Sequence, residues 1–129
     1  MRIRETEPYS DRYDPTVQRN VEEQQQNARP GITGTIPDLA DYDTVLIGSP
    51  IWNVRPPMIM STFLEAVDVT GKRVLPFVTY AVSGAGNTTS TYRPLTPNAA
   101  TLGEPLAVRG EDVADAAADV ERWIRDNRI

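Results

Sequence analysis

Thr44-Val45-Leu46-Ile47-Gly48-Ser49-Pro50-Ile51-Trp52-Asn53 is the stretch that decides how this chain is read. Its opening residues, Thr44 to Gly48, are β-branched or aliphatic without alternation. A strand with one wet face alternates, whereas a continuous run suits a parallel strand covered by helices on both faces. The run ends in a loop, Ser49 to Pro56, and beyond Pro57 the apolar residues Met60, Phe63, Leu64 and Val67 fall at i, i+3, i+4 and i+7. That spacing predicts an amphipathic helix, which Gly71 stops.

Working downstream, Arg73 to Thr79 reads as a second buried strand. Its Pro76 has no N–H and costs a ladder bond unless it faces outward or bulges. Tyr80 to Asn87 is a small-residue loop, Thr88 to Arg93 a short helix, and Ala100 to Val108 a last strand around Gly103 and Pro105. The final helix has Glu111 and Asp112 at its start and Arg122, Arg125 and Arg128 near its end, matching the helix dipole. Val113, Ala116, Ala117, Val120, Trp123 and Ile124 form one apolar face, which should pack on the sheet.

Upstream, Arg2 to Thr6 reads as a short edge strand and Asp14-Pro15 as a helix start, with Asp as cap and Pro at the first helical position. The helix runs to about Ala28, mostly polar, before Pro30-Gly31 ends it and a connector reaches Asp41. Strands therefore alternate with helices, which predicts a three-layer α/β fold with a mostly parallel sheet and helices on both faces. Ligands of such sheets sit beyond the carboxyl ends of the strands, so the loops Ser49 to Pro56 and Thr79 to Asn87 form the candidate site.

The 129 residues suit one domain, residues 1–129, and the 40% hydrophobic and 24% charged fractions are those of ordinary globular proteins. Cysteine and histidine are both absent. Disulfides, thiolate nucleophiles, imidazole bases and nitrogen or sulfur metal ligands are therefore excluded, and no catalytic acid or base stands out. No apolar run approaches the ~20 residues of a membrane helix, and the start lacks the apolar stretch of a secretory signal, so the expected location is cytoplasmic. A net charge of −5 opposes attraction to nucleic acid and is compatible with a basic protein partner.

Gly48-Ser49-Pro50-Ile51-Trp52-Asn53 resembles the glycine-x-proline-isoleucine-tryptophan turn of a short-chain flavodoxin family. Thr62-Phe63-Leu64-Glu65, Gly71-Lys72 to Pro76-Phe77, and Ser83-Gly84-Ala85-Gly86 resemble the following helix, strand and second flavin loop. Glu7-Pro8-Tyr9, Ala28-Arg29-Pro30 and Leu106 to Trp123 extend the likeness over nearly the whole chain. The resemblance implies a flavodoxin-like fold that binds flavin mononucleotide (FMN). Ser49, Pro50, Ile51, Trp52 and Asn53 would lie along one side of the cofactor, with Trp52 stacking on the ring. Thr79 and Ser83 would offer hydroxyl contacts, Tyr80 a second aromatic wall, and Gly84 and Gly86 close approach of backbone N–H groups. Asn53 stands where many relatives carry another aromatic residue, and Tyr80-Ala81-Val82 replaces a glycine-rich stretch.

The family's phosphate loop follows a first strand, and no such segment precedes Arg2, so the domain reads as N-terminally truncated. A missing central strand would leave the backbone of Thr44 to Gly48 unpaired on one side. The expected repair is a homodimer through that sheet edge or a rearranged Arg2 to Thr6 strand. Ser83 to Thr88 also resembles the phosphate loop itself, a competing reading of that stretch. The functional expectation is electron transfer between a reductase and an acceptor, with a redox protein as partner and no nucleic acid or membrane. A flavin-free structural or interaction module is one alternative, and a flavin-dependent reductase of a quinone or other small molecule is another.

Overall fold

The Thr44 run forms strand β1 (Thr44–Pro50) in the computed structural model, which describes residues 1–129. It pairs in parallel with β2 (Arg73–Tyr80), placing Leu46 opposite Leu75 and Gly48 opposite Phe77. The Arg73 N–H donates to the Asp43 carbonyl at 2.9 Å and the Ile51 N–H to the Thr79 carbonyl at 2.8 Å. Odd-numbered residues of this stretch therefore bond to β2. The backbone groups of Thr44, Leu46 and Gly48 point the other way, and no strand lies there to receive them.

The opposite edge of β2 pairs with two short parallel strands, β3 (Thr101–Leu102) and β4 (Leu106–Arg109). They come from the single strand expected between Ala100 and Val108, which is broken at Gly103 to Pro105. The break explains Pro76. Pairing with β3 ends at Val74 and pairing with β4 begins at Phe77, so the residue without an N–H falls in the gap between them.

The amphipathic segment after Pro57 is helix α2 (Met58–Ala66), preceded by α1 (Tyr13–Gln25) and followed by α3 (Thr88–Tyr92) and α4 (Ala117–Asp126). Ile47 and Val74 look toward α2 and α3, where they join Ile59, Met60, Phe63, Leu64 and Tyr92 in the core. Leu46, Leu75 and Phe77 occupy the other face, and there Trp123 of α4 meets Phe77 edge-on with centroids 6.3 Å apart. The sheet is thus parallel throughout and flanked by helices on both sides, as the alternation predicts.

Three local expectations change. Arg2 to Thr6 does not form a strand: Glu5 makes one isolated bridge to Ile32, and the Thr6 N–H donates to Gly31. No strand lies between this segment and β1, so it bonds to residues 31–33 instead. Helix α1 begins at Tyr13, one residue before the expected cap Asp14, and Asn27 in the left-handed region (φ 49°) closes its C-terminal end. A 3-10 turn, Gly110–Asp115, occupies the expected first turns of the last helix. α4 touches the sheet through Trp123, but Val113 remains 52% and Ile124 37% exposed.

Candidate functional site

Two hollows meet at Trp52. One is a cleft of about 980 Å³ beyond the carboxyl ends of β1 and β2, lined by Pro50 to Val54, Thr79 to Ser83 and the N-terminal part of α1. The other is a groove of about 920 Å³ along the open edge of β1, lined by Thr44 to Pro50 and also by Ile3, Glu5 and Tyr9. Pro50 and Trp52 belong to both.

The Trp52 loop is a tight reversal. Trp52 and Arg55 pair across it, the Trp52 N–H donating to the Arg55 carbonyl at 2.9 Å. Asn53 (φ 49°) and Val54 (φ 72°) both turn through the left-handed region, which for a β-branched residue is strained. Neighbouring segments hold the loop in that shape. The Gln24 amide of α1 donates to the Trp52 carbonyl at 3.0 Å and accepts from the Asn53 amide at 2.7 Å. From the far side the Asn87 N–H donates to the Val54 carbonyl at 2.7 Å.

The indole itself is set by Tyr9, whose ring meets it edge-on with centroids 5.2 Å apart and planes at 77°. Tyr9 is fixed in turn. Its hydroxyl donates to the Glu23 carboxylate, and the Arg19 guanidinium lies 3.8 Å over its ring while pairing with Glu23 at 3.7 Å. Burial, reinforced by the bond to Glu23 and its charge, holds the Tyr9 phenol well above its ordinary pKa.

Of the ten residues expected at the site, Pro50, Ile51, Trp52, Asn53, Thr79, Tyr80 and Ser83 line the cleft. Ser49 lines the β1 groove instead. Gly84 (φ 61°) and Gly86 (φ 51°) line neither hollow, and each takes the backbone through the left-handed region. Gly86 also lets the two loops touch, because a Cβ there would stand 2.1 Å from the Val54 carbonyl oxygen. In the Ser83 to Thr88 stretch, which also resembles a phosphate loop, three amides bond within the protein: Gly86 N–H to Ser83, Asn87 N–H to Val54 and Thr88 N–H to Ala85. Tyr9, Arg19, Glu23 and Gln24 were not expected here. The resemblance gave none of them a role at the site, and Gln24 lies 28 positions before Trp52.

This parallel sheet, with a cleft past its carboxyl ends and a tryptophan loop opposite a small-residue loop, has counterparts. The family model described as flavodoxin matches residues 2–126. The chain belongs to the flavodoxin family. Among solved structures, a candidate flavoprotein from Bacteroides uniformis is 30% identical with a TM-score of 0.80, over 95% of this chain and 78% of that one. A flavoprotein from Lactobacillus acidophilus, solved in complex with FMN, shares the fold at 22% identity and a TM-score of 0.63, over 90% of this chain and 77% of that one. Among curated proteins none matches. Family membership gives the cleft its interest: it lies at the carboxyl ends of the strands, where a sheet of this kind takes its ligands.

Proposed function

We propose that this chain binds FMN in the cleft beside Trp52 and serves electron transfer. The observation that carries the reading is the placement of one large aromatic, Trp52, and the hydroxyls of Thr79 and Ser83 around a single cleft at the carboxyl ends of parallel strands. The volume of about 980 Å³ is at the upper end of ordinary cofactor sites. Family membership and the FMN-bound Lactobacillus acidophilus structure support the same ligand.

The residues present suit the ring rather than the phosphate. Trp52 offers a flat apolar face, Ile51, Val54 and Tyr80 add apolar wall, and Thr79 and Ser83 supply hydroxyls to polar ring edges. The amides of Gly86, Asn87 and Thr88 are spent inside the protein. FMN, when bound, supplies the one- or two-electron chemistry, and the chain's contribution is to stack the ring, orient it and shield one side from water. A redox protein as electron partner completes this reading.

The committed amides favour one second reading, a flavin-free interaction module. An FMN titration of the purified protein separates the two. A saturable change in the flavin visible band, weakened in Trp52→Ala, supports the cofactor reading. No change up to about 1 mM FMN removes it.

A further inference from the structure

Thr16, Asn20 and Gln24 follow one another at i, i+4 along a single face of α1. Two of the three have their hydrogen bonds filled inside the protein. The Thr16 hydroxyl lies 2.8 Å from the Ser10 carbonyl and 2.9 Å from that of Arg12, and the Gln24 amide is spent on Trp52 and Asn53. Asn20 is different. It is only 3% exposed, yet its carboxamide oxygen is shut away from solvent without a hydrogen-bond partner. A buried acceptor left in that state destabilises a fold, and native interiors contain few of them. Asn20 also lines the cleft of about 980 Å³, together with Trp52, Thr79 and Ser83. The partner that the protein does not supply can therefore come from a molecule in the cleft.

We infer that Asn20 is a ligand-reading residue of the cleft, its carboxamide pairing with the imide edge of the flavin ring. The inference rests on the flavin reading above and adds to it the direction in which the ring lies. Isoalloxazine has two unlike ends. One is a dimethylated benzene edge with nothing to bond, and the other carries an N–H between two carbonyls. A carboxamide holds a donor and an acceptor side by side, which complements an N–H beside a carbonyl in two parallel hydrogen bonds. The hydroxyls of Thr79 and Ser83 rotate to donate or accept and so discriminate little between ring edges. Asn20 cannot adapt in that way. A ring bound the other way round would set a methylated edge against a buried, unpaired amide, the arrangement that polar sites reject most strongly. The polar end of the ring is thus held toward α1, and the benzene end lies toward Val82, which lines the same cleft and is 90% exposed.

The test pairs one change in the ligand with one in the side chain. Lumiflavin, which is the ring without its phosphate tail, and 3-methyl-lumiflavin, whose methyl group replaces the imide proton, are titrated into the wild type and Asn20→Leu with flavin fluorescence as the readout. The wild type should bind lumiflavin about tenfold more tightly than the methylated ring, and Asn20→Leu should bind both equally, at about the weaker level. Without any flavin, Asn20→Leu should unfold cooperatively at a higher urea concentration than the wild type, because a side chain of the same branching replaces an unpaired carboxamide. A lower midpoint would mean that the carboxamide is already bonded in the free protein, and overturns the inference. Equal binding of the two flavins by the wild type also overturns it and leaves the flavin reading standing. So does a preference that persists in Asn20→Leu, which would give the imide to another group, or an unchanged lumiflavin affinity in that variant, which would leave Asn20 a purely structural role. No binding of either flavin or of FMN by about 1 mM removes both readings together.

Discussion

The Tyr9 ring stands edge-on to the Trp52 indole, centroids 5.2 Å apart, so the residue expected to carry ring stacking is itself oriented by a residue 43 positions upstream. Aromatic pairs of this kind contribute about 0.5–1.5 kcal/mol beyond burial. Tyr9→Ala should therefore weaken FMN binding roughly threefold to tenfold, measured by quenching of flavin fluorescence. Tyr9→Phe keeps the ring contact and loses the bond to Glu23, and should fall between the two.

Alkaline pH should destabilise the fold through two phenols. Tyr92 is fully buried, and burial pushes it up to about 12, with the nearby Ser49 offsetting part of the shift. Tyr9 is raised as well. Both folded values lie above the unfolded one, so the stability they contribute is complete below about pH 10 and is lost as pH rises from there. Melting temperatures followed from about pH 9 to 11 should fall in the wild type and fall less in Tyr92→Phe. At neutral pH, Tyr92→Phe should be neutral or stabilising, because the Tyr92 hydroxyl has no partner within hydrogen-bonding geometry.

Two glycines of one loop should respond differently to alanine. Gly84 has nothing within 4 Å of an added Cβ, so Gly84→Ala meets only the backbone strain of its φ of 61°, about 1 kcal/mol. Gly86 adds the clash with the Val54 carbonyl. Gly86→Ala should cost about 3 kcal/mol in urea unfolding and separate the two cleft loops.

Val54 points the opposite way. It is β-branched at φ 72° and 46% exposed, so it stores backbone strain while burying little. Val54→Asn, a residue that tolerates the left-handed region, should raise stability by about 0.5–1 kcal/mol in the same assay. A loss of stability would mean that the Val54 side chain packs more usefully than its exposure indicates.

What sequence reading reaches, and where it stops, follows from the range of the forces involved. Thr44 to Gly48 and the Met60, Phe63, Leu64 and Val67 stripe report their own burial through local periodicity, and both elements stand where expected. The cleft was legible for a topological reason, since the loops after β1 and β2 have to converge at one end of a parallel sheet. Arg2 to Thr6 was not, because a strand exists only by virtue of a neighbour and none lies between it and β1. Nor did Tyr9, Arg19, Glu23 and Gln24 announce themselves. Their roles arise when α1 is laid against the Trp52 loop, and no spacing within either segment encodes that contact.

Trp52 has one indole and two neighbours to serve. Pro50 and Trp52 line both the groove and the cleft, so a molecule held in either one would touch the same two residues. If filling the groove tightens or loosens the hold on a molecule in the cleft by some factor, thermodynamic reciprocity requires that molecule to change the hold on the groove's occupant by the same factor. The two sites are then linked equilibria, and an affinity measured at one is a function of what occupies the other.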